Sequence, residues 1–433
     1  MITYTANNSL QDYKYTQTAF LPHNLLVPLS QDSGHTCKSL VKSGDRVSEG
    51  QIIARADDDL EITIHSPLPG TILDVEACVS PNGKLEHAIR IEMEGKFSYL
   101  GKKLEAADWQ KMSSSEIIRK IREKSLVNTF KINEPANLAS QIEKANKAQA
   151  LIVRLFDEDP TRITDSLVFK FYFDQIVTGS QILAKAMGFN KIVFAINKEL
   201  KNKDEYLSKE LSDIHFLEMG IVRYPCGTPR EICSAFSRNL KKTKDFVITK
   251  NDLFIDSSTA YDIYKAVVMD IPSMSKLVHF SGNCLYASCL LEVKIGTTFR
   301  DIVNQLGGFA KKPALVIVNG ALSGVSVSDL DVPVTKYVKS VTFNSSKSFT
   351  DEHIYSCINC GDCRSACPVH ISPDIIYNNA VNFKELPEQI EKSTFACIDC
   401  GRCNTVCPAR LPLCQSISVV KQRLINKNKE EKQ

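Results

Sequence analysis

The stretch Cys357-Ile-Asn-Cys360-Gly-Asp-Cys363-Arg-Ser-Ala-Cys367-Pro368 decides how this chain is read. Its echo is Cys397-Ile-Asp-Cys400-Gly-Arg-Cys403-Asn-Thr-Val-Cys407-Pro408. Both fit the pattern C-x2-C-x2-C-x3-C-P of two-cluster ferredoxins. Three cysteines two residues apart wrap a tight loop around one face of a cubane. The fourth lies a turn further along and points away, and the proline stops that local geometry from continuing. The spacing predicts a crossed assignment. Cys357, Cys360, Cys363 and Cys407 hold one [4Fe–4S] cluster; Cys397, Cys400, Cys403 and Cys367 hold the other. Gly361 and Gly401 are expected to let backbone N–H groups approach the sulfurs. Two neighbouring clusters form a path for single electrons, so electron transfer is the expected task and no catalytic side chain is assigned.

Alternatives to iron–sulfur are weaker. Zinc knuckles show C-x2-C pairs separated by a longer loop, without the closing C-P. A disulfide scaffold suits small secreted chains, whereas this one has 433 residues and an odd cysteine count of 15. The other seven (Cys37, Cys78, Cys226, Cys233, Cys284, Cys289 and Cys414) lack ligand spacing and are expected as small buried hydrophobes. Cys414 is placed near a cluster without ligating it. His370 follows a ligand and is expected to be solvated or packed. The formal charge of +3 gives no electrostatic case for nucleic acid. Two oxidised clusters at roughly −2 each would bring it close to neutral.

Working outward, the chain reads as a multidomain α+β protein. Residues 22–95 are β-rich and punctuated by Gly44, Gly50, Pro67, Pro69, Gly70 and Gly83. Two strand–turn–strand halves are the pattern of a β barrel-sandwich hybrid, the fold of lipoyl and biotinyl carriers. The turn Ala56-Asp57-Asp58-Asp59 lacks the attachment lysine, so the module is expected to be structural. Residues 113–250 alternate helix and strand as an α/β layer, opened by a capping box at Ser113–Glu116. Residues 251–312 follow a strand–strand–Gly296-Thr297-Thr298–helix order resembling the soluble-ligand-binding β-grasp (SLBB-like) fold. Residues 350–420 form a C-terminal α-helical two-cluster ferredoxin domain. The N-terminus does not read as a signal peptide, and no apolar run is long enough to span a bilayer.

Taken together, these pieces resemble the RnfC subunit of the Rnf ion-translocating ferredoxin–NAD oxidoreductase family over roughly residues 22–420. The match runs through Val41-Lys42-x-Gly44-Asp45, His65-Ser66-Pro67, Pro69-Gly70-Thr71, Tyr224-Pro225-x-Gly227, Gly296-Thr297-Thr298, Asn319-Gly320-Ala321-x-Ser323-Gly324 and Pro333-Val334-Thr335-Lys336 to the twin cysteine runs. The resemblance implies an iron–sulfur electron-transport subunit, peripheral on the cytoplasmic side of the cell membrane. It would serve an ion-transport translocase alongside integral membrane subunits, with ferredoxin, a flavoprotein or NADH as electron partner. It also implies an α/β domain resembling the complex I flavin domain, with FMN and NADH as cofactors. Two alternatives are a soluble flavin-dependent reductase similar to the microcompartment cobalamin reductase, and a non-catalytic scaffold.

The sequence departs from that family at the flavin loop. Relatives with a mononucleotide site carry G-G-A-x-F-P. Here the stretch is Ser125-Leu126-Val127-Asn128-Thr129-Phe130-Lys131-Ile132-Asn133-Glu134-Pro135, without a glycine. Where N-G-A-E-C-E-P-Y is expected, Arg154–Pro160 keeps only an acidic residue before proline. FMN and NADH binding, and with them any NADH-oxidising activity of the chain's own, stay undecided at this level.

Overall fold

Short apolar runs broken by glycine and proline become two small sheets packed face to face. One has the order Arg46–Val47, Gly70–Val79, Leu85–Met93, Asn24–Pro28, all antiparallel. The other is Lys38–Ser39, Ile52–Arg55, Thr63–His65. Alternation along the strands sends Leu25, Val27, Ile53, Ile64, Ile89 and Ile91 into the shared core. Gly70 is required by crowding, since a Cβ there would lie 2.1 Å from the Glu92 carbonyl oxygen. The computed structural model describes residues 10–430 except 11–12, 15, 57–61, 146, 201–202, 208–210, 212, 221–223, 240–245, 346–352 and 382–386. The acidic turn at Asp57–Asp59 lies outside the described residues.

The next layer is a four-stranded, wholly parallel sheet in the order Ile214–Met219, Ile192–Asn197, Leu151–Arg154, Leu253–Asp256. Its central strands are buried throughout except at Asn197, as strands covered on both faces must be. The capping box forms as expected: Ser113 Oγ accepts from Glu116 N, while Glu116 reaches back to Ser113 N. The boundary expected between 250 and 251 cuts through this layer. Leu253–Asp256 pairs with Leu151–Arg154, and the helix Ser257–Val267 packs on the helix Phe173–Met187. A Cβ on Gly179 would sit 2.0 Å from the Ala260 carbonyl oxygen, so the two helices meet backbone to backbone. A parallel partner a hundred residues away leaves no local signal, which is why composition misplaced the boundary.

A six-stranded mixed sheet follows in the order Gln17–Thr18, Cys289–Lys294, Ser275–Ser281, Ser340–Asn344, Leu315–Val318, Val325–Val327. It extends beyond the end expected at 312 and borrows an edge strand from before the barrel-sandwich. Thr298 and Asp301 form a second capping box, starting the helix Phe299–Gln305. Glu49 ties this sheet to the barrel-sandwich. Its carboxylate accepts from the N–H groups of Ser98, Tyr99 and Leu100, and from Lys294 Nζ at 2.7 Å.

Contacts divide the chain into two units. The three sheet layers belong to one, which takes in residues 5–222 and 226–346. Within it His279 is buried, with Tyr13 Oη 2.6 Å from its Nε2, and burial pushes its pKa down to about 4. A histidine depressed in the folded state is protonated more readily when unfolded, so stability is full above about pH 6.5 and falls as pH drops toward 4. We expect urea unfolding followed by Trp109 fluorescence to lose up to about 3 kcal/mol per such histidine over that window. The loss should shrink in His279→Gln; an equal loss in both proteins would refute the assignment.

The other unit, residues 347–433 with a short piece at 223–225 and the N-terminal residues, is helical where described. Its helices are Asp362–Ala366, Pro373–Val381, Glu388–Phe395, Arg402–Val406 and Leu413–Glu430. No described helix of the chain is long and apolar enough to cross a membrane.

Candidate iron–sulfur centre and the flavin crevice

Each cysteine run turns from a loop into a one-turn helix at a glycine in the left-handed region, Gly361 at φ 80° and Gly401 at φ 67°. A left-handed backbone at both positions favours glycine over any residue with a Cβ. The residues before each second cysteine, Asn359 and Asp399, share the same left-handed conformation.

The runs fold across one another. Cys357, Cys360, Cys363 and Cys407 line one cavity, together with Asp374 and the apolar Ile358, Ala409 and Leu411. Cys397, Cys400, Cys403 and Cys367 line a second, together with Cys414, Ile371 and Ile417. Each cavity thus takes three thiols from one run and the fourth from the other. Among the described residues no three cysteine, histidine or acidic side chains converge as ligands of a single ion do. Four thiols from two crossing C-x2-C-x2-C-x3-C-P runs around each cavity suit a cubane better than zinc.

The surroundings of the two cavities differ. Arg364 makes a bidentate pair with Asp374 at 2.7 and 2.5 Å beside the first. Beside the second, Lys421 Nζ donates to the Asp399 carboxylate at 2.7 Å and to the Cys397 carbonyl at 2.6 Å. The Tyr224 hydroxyl donates to the Cys400 carbonyl at 2.6 Å. Sequence reasoning missed these partners, and only Tyr224 had a signal, in Tyr224-Pro225-x-Gly227. Cys360 is exposed and Cys400 buried, so the first cavity lies nearer the surface of its unit. His370 is exposed. Of the unassigned cysteines, Cys37, Cys78, Cys226 and Cys284 are buried and Cys233, Cys289 and Cys414 are half-buried.

The parallel sheet has its topological switch between Leu151–Arg154 and Leu253–Asp256, where ligands of such folds bind. Side chains fill that crevice. Asp256 accepts from Lys339 Nζ at 2.6 Å, Thr129 Oγ1 at 2.8 Å and Thr259 N at 2.7 Å. Lys339 also donates to Asp165 at 2.6 Å, and Asp165, Asp256 and Lys339 are all fully buried. Arg154, equally buried, donates to the carbonyls of Phe130 and Gly227 and lies 4.2 Å over the Phe130 ring. A phosphate would need free N–H donors from the loop at 125–135. Thr129 N already donates to Thr259 Oγ1 and Phe130 N to Asn128 Oδ1. The residues present do not fit a flavin phosphate. Asp159, the surviving acidic residue, accepts from Leu322 N and Ser323 N at 3.0 Å and so clamps the Asn319–Gly324 turn.

The family models that match are the RnfC barrel sandwich hybrid domain, over residues 2–96, and the 4Fe-4S dicluster domain, over residues 352–408. A barrel-sandwich domain joined to a twin-cluster ferredoxin domain defines the class: an iron–sulfur protein carrying two [4Fe–4S] clusters. Over most of its length the chain is homologous to the RnfC subunits of ion-translocating oxidoreductases. It is 25% identical to the RnfC subunit of the proton-translocating ferredoxin:NAD(+) oxidoreductase complex of Clostridium ljungdahlii, over 86% of this chain and 80% of that one. The corresponding subunit of the Na(+)-translocating complex of Acetobacterium woodii is 22% identical over 81% and 80%. That of the ion-translocating oxidoreductase complex of Rhodobacter capsulatus is 25% identical over 96% and 81%. Among solved structures, an NAD+-reducing [NiFe]-hydrogenase in the air-oxidised state aligns with a TM-score of 0.45 at 14% identity, covering 67% of this chain and 54% of that one.

Proposed function

We propose that this chain is the electron-transfer subunit of an Rnf-type membrane complex, passing electrons between a soluble carrier and membrane subunits coupled to ion translocation. The observation that carries the reading is the pair of thiol-lined cavities built by two crossing C-x2-C-x2-C-x3-C-P runs, on a chain homologous to RnfC subunits. We assign Cys357, Cys360, Cys363 and Cys407 to one cluster, and Cys397, Cys400, Cys403 and Cys367 to the other. When bound, such clusters supply reversible one-electron chemistry. The chain's residues hold them apart from water with Leu411 and Ile371, and leave Cys360 at the surface where a carrier can approach.

The subunit sits peripherally on the cytoplasmic face and binds integral membrane subunits of the same complex. Its α/β layer, although placed like the flavin domain of complex I in the family order, works without FMN, because Thr129 N and Phe130 N, in the loop that would cradle the phosphate, already donate to protein acceptors. The carrier is then a ferredoxin or small flavoprotein, not NADH. The protein should be purified anaerobically, alone and with its membrane partners, and mixed with FMN and NADH. We expect no flavin retention and no bleaching of cluster absorbance by NADH, but rapid bleaching by reduced ferredoxin or flavodoxin. Tight FMN binding with NADH-dependent bleaching would overturn the flavin-free reading. Failure to co-purify with membrane subunits would count against the complex.

A further inference from the structure

The two halves of the cluster unit are repeats of one plan, and one position breaks the repetition. The helices Pro373–Val381 and Leu413–Glu430 follow equivalent turns after Cys367-Pro368 and Cys407-Pro408. Asp374 is the second residue of the first helix and Cys414 the second residue of the other. Each lines the cavity of its own half, so the first cavity has four thiols and a carboxylate, whereas the second has five thiols.

Their neighbours differ in the matching way. After Cys363 stands Arg364, which draws the Asp374 carboxylate into a bidentate pair. After Cys403 stands Asn404, whose Oδ1 accepts from the Cys414 backbone N–H at 2.8 Å and whose amide donates to Gln415 at 2.6 Å. Asn404 thus fixes the backbone at Cys414 and leaves its thiol lining the cavity, and the same Oδ1 accepts from Cys403 Sγ at 3.7 Å. A cubane takes four thiolates, so one of the five is in excess. Cys414 is the one outside the motif, and Cys403 meets the same Asn404 amide oxygen that holds it.

We propose that Cys414 is a reserve ligand of the second cluster, able to take the iron corner of Cys403 when that sulfur is lost. The exchange breaks one iron–Sγ bond and forms another. The Cys414 proton passes to the displaced Cys403 thiolate, or to water where that sulfur is absent, and no electron moves. The first cluster has no such substitute. The inference rests on the crossed two-cluster assignment.

The test compares full-length wild type with Cys363→Ala, Cys403→Ala and Cys403→Ala/Cys414→Ala, reconstituted anaerobically. Readouts are iron, acid-labile sulfide and the EPR spectrum after dithionite reduction. Wild type should hold roughly eight irons, and about four would overturn the two-cluster reading and this inference with it. Given eight, Cys403→Ala should keep nearly the full complement with an altered EPR signal from one cluster. Cys363→Ala and the double variant should each lose one cluster's signal. A Cys403→Ala protein that loses as much iron as the double variant overturns the proposal while leaving the crossed assignment intact. Cys414→Ala alone guards against misfolding in the other variants. It should retain full iron but lose the second cluster several-fold faster during exposure to air, and a rate equal to wild type would also overturn the reserve role.

Discussion

Replacing Cys367 by serine is expected to damage the cluster whose other three ligands, Cys397, Cys400 and Cys403, lie in the second run. The cluster held by Cys357, Cys360 and Cys363, the run in which Cys367 itself sits, should survive. Cys367 is buried in the cavity with Cys397, Cys400, Cys403 and Cys414, while Cys407 lines the cavity of the first run. Iron should fall from roughly eight toward about four per chain, and the spin–spin broadening of two reduced clusters should collapse to one simple signal. The mirror variant Cys407→Ser should remove the other cluster, so the two single-cluster proteins will differ in reduction potential. The surviving cluster lies beside the Arg364–Asp374 pair in one protein and beside the Asp399–Lys421 pair in the other. If Cys367→Ser lost only the signal that Cys360→Ser also loses, the ligands would not be crossed.

Lys339→Met is expected to cost about 3–5 kcal/mol, a large share of any domain's stability, because it strips the counter-charge from two buried carboxylates at once. Lys339 Nζ is 2.6 Å from both Asp165 and Asp256, and all three side chains are fully buried. Burial pushes Asp256 upward, but Lys339 and the Thr259 hydrogen bonds outweigh it and hold its carboxyl below the ordinary range. For Asp165, burial prevails over Lys339 and the pKa is raised. With the lysine gone, both carboxyls take up protons more readily folded than unfolded. The variant's deficit should therefore be largest near neutral pH and shrink as pH falls toward 4. Adding Asp165→Asn should recover part of the loss. Urea unfolding read by Trp109 would decide it, since equal stabilities of wild type and Lys339→Met at pH 7 would mean the pair is solvated.

The cysteine runs were legible because ligand spacing is a local property: a cubane corner dictates which neighbours can reach it. The capping box at Ser113 was legible for the same reason. The Lys339 network was not, because Asp165, Asp256, Thr129 and Lys339 come from four separate segments and none carries a motif. The glycine-free loop at 125–135 signalled that a phosphate would be hard to seat, but not that Arg154 and Phe130 had taken the space. Cys414 fell between these cases. Its nearness to a cluster could be guessed from the sequence, while the matching of Asp374 with Cys414 needed both helices in place.

The filled switch-point crevice also bears on how the protein depends on its cell. A flavoprotein's folded population rises with the supply of its vitamin-derived cofactor, because a ligand that binds only the native state stabilises it by mass action. Here the groups occupying that position are Arg154, Phe130 and Lys339, delivered by the ribosome at a fixed ratio of one per chain. On the flavin-free reading proposed above, the sheet unit draws no stability from flavin supply, whereas the cluster unit still depends on iron and sulfide.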